Sequence, residues 1–181
     1  MESLKEWATV VKALENGDQS VLLRKGGILE TTSGFKVESK KFFLFPTFEH
    51  QELAYIKPQF QDFLKEVKNN HPKKGFNKIS SYAEVMVDLE ISSEDKIKAL
   101  SPFHIWSDSY INERQNWMPE KPMSVIFLKV YKIPEIEIPL KSEYHGCKSW
   151  IDINADTEDG EPVLSDSEIN LRLKKFRDVV N

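Results

Sequence analysis

The sequence predicts an α+β fold: a mixed β-sheet, or a partly closed barrel, with helices at its periphery. Three observations carry this. Residues 83 to 91 alternate strictly, with Ala83, Val85, Val87, Leu89 and Ile91 set against Glu84, Met86, Asp88 and Glu90. That period of two is the pattern of a strand with one face in a core. SVIFLKVY (124–131) is apolar on both faces and predicts a central strand. Between the strong strands the links are irregular and the helical patterns short, so the regular βαβ spacing of a doubly wound fold is missing.

The elements follow in order. Ser3 with Glu6 has the spacing of a capping box. Leu4, Trp7, Val11 and Leu14 continue it as a helical stripe that ends at Gly17. QSVLLR (19–24) reads as a strand running into Gly26-Gly27. FKV (35–37) and FFLF (42–45) read as two more, rich in aromatic and β-branched residues. Pro58 suits the first turn of a helix whose stripe is Phe60, Phe63, Leu64 and Val67, and NNHPKKG (69–75) is a loop. After the strand at 82–91, Ser92 or Ser93 caps a short helix carrying Ile97 and Leu100 inward, and Pro102 ends it. Residues 103–117 form a polar-aromatic, partly helical insertion. KSWIDI (148–153) predicts another strand. Ser165 and Glu168 repeat the capping-box spacing and open a C-terminal helix over 165–180, with Ile169, Leu173, Phe176 and Val180 inward.

At 181 residues the chain predicts one compact domain over 1–181, with 152–166 as an acidic loop. No apolar run approaches a membrane span, and the start MESLKEW lacks the apolar core of a secretory signal. A lone Cys147 excludes an intrachain disulfide framework and points to a reducing, cytoplasmic setting. The formal charge of −4 hides an asymmetry: Arg24 to Lys78 holds eleven Lys or Arg against six Asp or Glu, whereas Asp152 to Glu168 holds seven acids and no base. A locally basic face attracts polyanions even on an acidic protein.

Two interruptions of apolar segments are the candidate ligand-binding places. In LLRKGGI, Arg24 and Lys25 stand before two glycines, where backbone amides and a guanidinium suit a phosphate; a tight turn with a basic flank accounts for the same residues. In FFLFPTFEHQ, Pro46 ends an aromatic run and releases Thr47, Glu49, His50 and Gln51, either as polar contacts or as a structural network. Glu49 and His50 are also an acid–base pair for a hydrolase. His104 and Trp106 share a face if FHIW is extended, one hydrogen-bonding ring beside one stacking surface; a core role for Trp106 is the competing reading. Glu38 and Lys40 form an ExK pair which, on a strand, is the half-site of a Mg²⁺- or Mn²⁺-dependent nuclease. An ordinary charged strand face explains the pair equally. His145 and Cys147 alone are too few for a structural zinc site, and no resident cofactor is expected.

Taken together, LLRKGGI, FFLFPTFEHQ, PFHIW, FLKVYKIP and GCKSW resemble an uncharacterised family of small bacterial and archaeal single-domain proteins, a domain of unknown function that spans nearly the whole chain. That resemblance implies a single domain and brings no activity. The order of strands and helices is also similar, at the level of fold, to PUA-like proteins, mixed barrels used in RNA and modified-base recognition. The expected function is nucleic-acid or nucleotide recognition, with RNA ahead of DNA. Arg24 and Lys25 would meet phosphate, Thr47, Glu49, His50 and Gln51 would make polar contacts, and His104 and Trp106 would flank a base. The alternatives are the nuclease or hydrolase just described, and a protein-interaction or structural accessory.

Overall fold

Two long antiparallel strands are the spine of the protein. A computed structural model describes residues 1–26, 34–157 and 159–181. In chain order it gives β1 (Glu2–Trp7), α1 (Ala8–Glu15), β2 (Val21–Arg24), β3 (Lys41–Thr47), α2 (Gln61–Asn69) and β4 (Phe76–Ile91). These are followed by α3 (Glu94–Ala99), α4 (Asp108–Asn116), β5 (Met123–Pro139), β6 (Trp150–Asp152), β7 (Glu161–Pro162) and α5 (Asp166–Val180). The strands lie in the order β2-β5-β4-β3-β1-β6, with β7 paired to β5. β1 runs parallel to β3, while the other pairs are antiparallel, so the sheet is mixed.

β4 and β5 match the predicted strands and extend them to 16 and 17 residues. The extensions, FNKISS and KIPEIEIP, hide their pairing behind polar residues and Pro134. Register shifts between Ile79 and Ser81 and between Val85 and Val87 mark bulges. The first lies opposite the stretch holding Pro134, where a residue without an N–H costs no ladder bond.

The largest correction is at the N-terminus. Ser3 and Glu6 sit in a strand, not in a capping box, and the helix starts only at Ala8. β1 is paired on both sides, with Ser3 opposite Phe43 and Ile151, and Ser3 and Leu4 are both fully buried. Two ladders outweigh one local cap. Residues 35–37 form no strand either. Phe35 is nonetheless buried, stacked on Trp150 at 6.0 Å. Its apolar character was a core signal rather than a strand signal. The C-terminal capping box at Ser165 and Glu168 is formed as expected.

Backbone bonds leave the sheet open, with β2 and β6 at its ends. A side chain spans the gap. Arg24 of β2 donates to the Lys5 carbonyl (3.1 Å), to Glu6 (3.0 Å) and to the Ser149 hydroxyl (2.8 Å), so the far edges of the sheet meet across one guanidinium. The curl encloses a core to which Leu4, Leu22, Phe42, Ala83, Phe127 and Trp150 all contribute. Alternate residues of the same strands, including Phe43, Phe45 and Tyr82, pack with Ile138, Tyr144 and Ile151 in a second cluster. Among the described residues no helix is long and apolar enough to cross a membrane.

Candidate functional site

The end of β3 runs into a cleft of about 200 Å³. Its apolar wall is Phe45, Pro46, Phe48, Phe76, Leu140 and Tyr144; its polar groups are Lys5, Thr47, Glu49, His71, Asn77 and His145. The sequence folds this way because FFLFP alternates: Phe43 and Phe45 join the second cluster, and the strand, instead of ending at Pro46, runs on to Thr47, which pairs with Trp7 of β1. Asn77 holds the rim by donating to the Pro46 carbonyl at 2.8 Å. The amide of Leu140 donates to the Gly75 carbonyl at 2.9 Å, tying the far end of β5 to the start of β4.

Lys5 reaches from β1 and donates to the carbonyls of Tyr144 (2.9 Å) and Gly146 (2.8 Å), pinning the loop that forms the opposite lip. Desolvation by burial pulls its pKa below the usual lysine range, while the nearby Cys147 and Glu49 act in the other direction. Phe48 packs on the His71 ring, with centroids 4.3 Å apart. His71 Nδ1 lies 2.9 Å from the Pro72 carbonyl, which can only accept. In the neutral ring Nδ1 therefore carries the hydrogen and Nε2 is left with a lone pair. Glu49 and His145 are exposed at the mouth.

Thr47 and Glu49 are the predicted residues that this cleft gathers; the others lie elsewhere. Thr47 also donates to the Glu6 carbonyl at 3.1 Å. His50 is exposed with φ of 61°, in the left-handed region that non-glycine residues rarely adopt. Past that turn, Gln51 is buried, and its carbonyl accepts from the amide and hydroxyl of Thr9 (2.9 and 2.7 Å). It thereby caps α1, whose own N-cap residue, Trp7, supplies no side-chain bond. Arg24 is engaged by Lys5, Glu6 and Ser149 and lies over the Phe35 ring at 5.0 Å. Lys25 is only 4% exposed, and its ammonium donates to the carbonyls of Gln115, Trp117 and Met118 at the end of α4. That leaves it no free donor to offer a phosphate. Gly27 lies outside the described residues.

Trp106 is 1% exposed and packed against Tyr110 and His104, so no base can stack on it. His104 lines a different depression, with Lys98, Ser101 and Asp108. Burial, and then the charge of Lys57, pushes its pKa down to about 3. Glu38 and Lys40 are exposed on non-strand backbone before β3, so no strand face aligns them. Among the described residues no three His, Cys, Asp or Glu are grouped to hold a metal ion. Sequence reasoning missed Lys5, Phe48, His71, Asn77 and Tyr144 as neighbours of Thr47. The available signal was the scatter of histidines: His50, His71 and His145, three of the four, fall in loops at or beside this cleft.

The model of one family, described as a domain of unknown function (DUF1802), matches residues 3–175. The protein belongs to the DUF1802 family. No curated protein matches it. Among solved structures, two mutant forms of ZmASCH from Zymomonas mobilis are similar. One has a TM-score of 0.40 at 11% identity over 70% of this chain and 67% of that one. The other has a TM-score of 0.40 at 12% identity over 70% and 66%. A likeness so distant leaves the reading of the DUF1802 cleft to its own residues.

Proposed function

We propose that this DUF1802 protein is a nucleic-acid recognition module whose cleft beside Thr47 takes a base of single-stranded RNA. The observation that carries the reading is the pairing of aromatic walls with mixed polar groups in a space of about 200 Å³. A planar heterocycle needs apolar faces and an edge of donors and acceptors. Phe48 and Phe76, both partly exposed, offer the first, and Thr47, Glu49 and the His71 Nε2 the second. His145 and Lys148 give the lip a basic character suited to a phosphate backbone. Duplex bases are stacked and paired, so a pocket of this shape favours single strands.

Titration of labelled single-stranded RNA against purified protein tests this. Affinity should fall between about 50 and 200 mM salt, by roughly two- to threefold for each phosphate that a basic side chain neutralises, as condensed counterions are released. Phe48→Ala should cost roughly 1–3 kcal/mol, the usual loss for one stacked base. Absence of binding at low salt, or an unchanged affinity in Phe48→Ala, would overturn the reading.

The fixed orientation of His71 favours a second reading, in which Nε2 acts as a general base in a hydrolase. RNA cleavage that disappears in His71→Gln, with binding retained, would support it. Intact RNA after prolonged incubation, with and without Mg²⁺ or Mn²⁺, would remove it.

A further inference from the structure

A second depression, of about 320 Å³, adjoins the first, and Tyr144 lines both. The character changes across that ring. The first space is walled by phenylalanines; the second is lined by Lys141, Glu143, Lys148, Asp152 and Asn154. Tyr144 is itself 4% exposed, packed edge-on against Phe45 at 5.9 Å, and its carbonyl is gripped by Lys5. The partition between the two spaces is therefore a fixed part of the fold.

The polar groups of the second space divide by whether they are already occupied. Lys141 and Glu143 pair with each other at 3.4 Å, and Asp152 faces the terminal ammonium at 3.3 Å. Lys148 and Asn154 are exposed and make no hydrogen bond or ion pair with the described residues. One free ammonium and one free amide thus line the depression that adjoins the aromatic slot. We infer that the site holds two consecutive ribonucleotides. The first base fills the aromatic cleft, the linking phosphate crosses Tyr144 to Lys148, and the next ribose lies in the polar depression against Asn154. Glu143 and Asp152 retain oxygens able to accept from a sugar hydroxyl, the group by which proteins tell RNA from DNA. This rests on the proposed base-binding role of the first cleft and names the ligand class that follows from it: an oligoribonucleotide rather than a free nucleotide.

The test compares three probes by ligand-observed NMR titration at low salt: adenosine 3′-monophosphate, the diribonucleotide ApA and its deoxyribose counterpart. ApA should bind at least about tenfold more tightly than the monophosphate, because it adds a neutral hydrogen bond and a second sugar contact. The deoxy form should lose several-fold. Asn154→Ala should weaken ApA several-fold and leave the monophosphate unchanged, whereas Lys148→Ala should weaken both by about tenfold, the effect of one charge-assisted bond. Both positions are exposed, so neither variant should disturb folding. Equal affinity for ApA and the monophosphate, or an ApA affinity indifferent to Asn154→Ala, would overturn the two-nucleotide site; if Phe48→Ala still weakened the monophosphate, the base cleft would stand without it. A monophosphate insensitive to Phe48→Ala would overturn both.

Discussion

Arg24 shows how a residue with the right chemistry for a ligand is used by the fold instead. Its guanidinium pairs with Glu6, which is only 5% exposed, across the two ends of the sheet. Arg24→Ala would strand that carboxylate in the interior, a loss of about 3–5 kcal/mol for a buried pair broken from one side. Urea unfolding should read this as a lower midpoint; an unchanged midpoint would mean that the sheet edges are held otherwise. Lys25 makes the same point, since its donors end on three carbonyls of another segment. Sequence reveals the donors, but the acceptors are brought by tertiary structure. His104 supplies a pH prediction. The folded ring takes a proton only near pH 3, against an ordinary value of 6.5, because burial disfavours its charged form. Between those values the unfolded chain binds the extra proton, so the contribution of this ring to stability should fall as pH drops from 6.5 toward 3 and be constant above. His104→Gln should flatten that acid limb in melts recorded across this range; an acid limb as steep as in the parent protein would show that other groups carry it.

At the scale of elements, the two capping-box spacings make a controlled pair. Ser165 and Glu168 bond reciprocally at the start of α5, with Ser165 N donating to Glu168 Oε2 at 2.8 Å. Ser3 and Glu6 have the same spacing and lie in a strand. The difference is not local: α5 is free to keep its own turn geometry, while β1 is claimed by β3 and β6. Ser165→Ala should therefore destabilise the protein by about 1 kcal/mol, as for a lost N-cap. A thermal midpoint indistinguishable from the parent would mean that packing of Ile169, Leu173 and Phe176 alone sets the start of the helix. Strands were legible where apolar residues alternate or run on, as at 83–91 and 124–131. They were illegible where β4 and β5 continue as FNKISS and KIPEIEIP, because pairing there is set by the partner strand and not by burial of each residue.

For the whole molecule, the mixed α+β sheet was readable, while its curl was not, because the residues that meet across it are 18 and 125 positions apart. The same separation hid the site. Thr47 and Glu49 were legible as polar residues released by Pro46, whereas Lys5, Asn77 and Tyr144 reach them only through the order β4-β3-β1 and the loop beyond β5. We propose that this cleft is where a single-stranded RNA base binds. Backbone amide chemical shifts of the ¹⁵N-labelled protein, followed during titration with a short single-stranded RNA, test it most directly. The predicted shifts concentrate at Thr47 to Glu49, His71, Asn77 and Tyr144 to Gly146, and leave Lys25 and Trp106 unmoved. Shifts confined to other surfaces, or none at low salt, would contradict it.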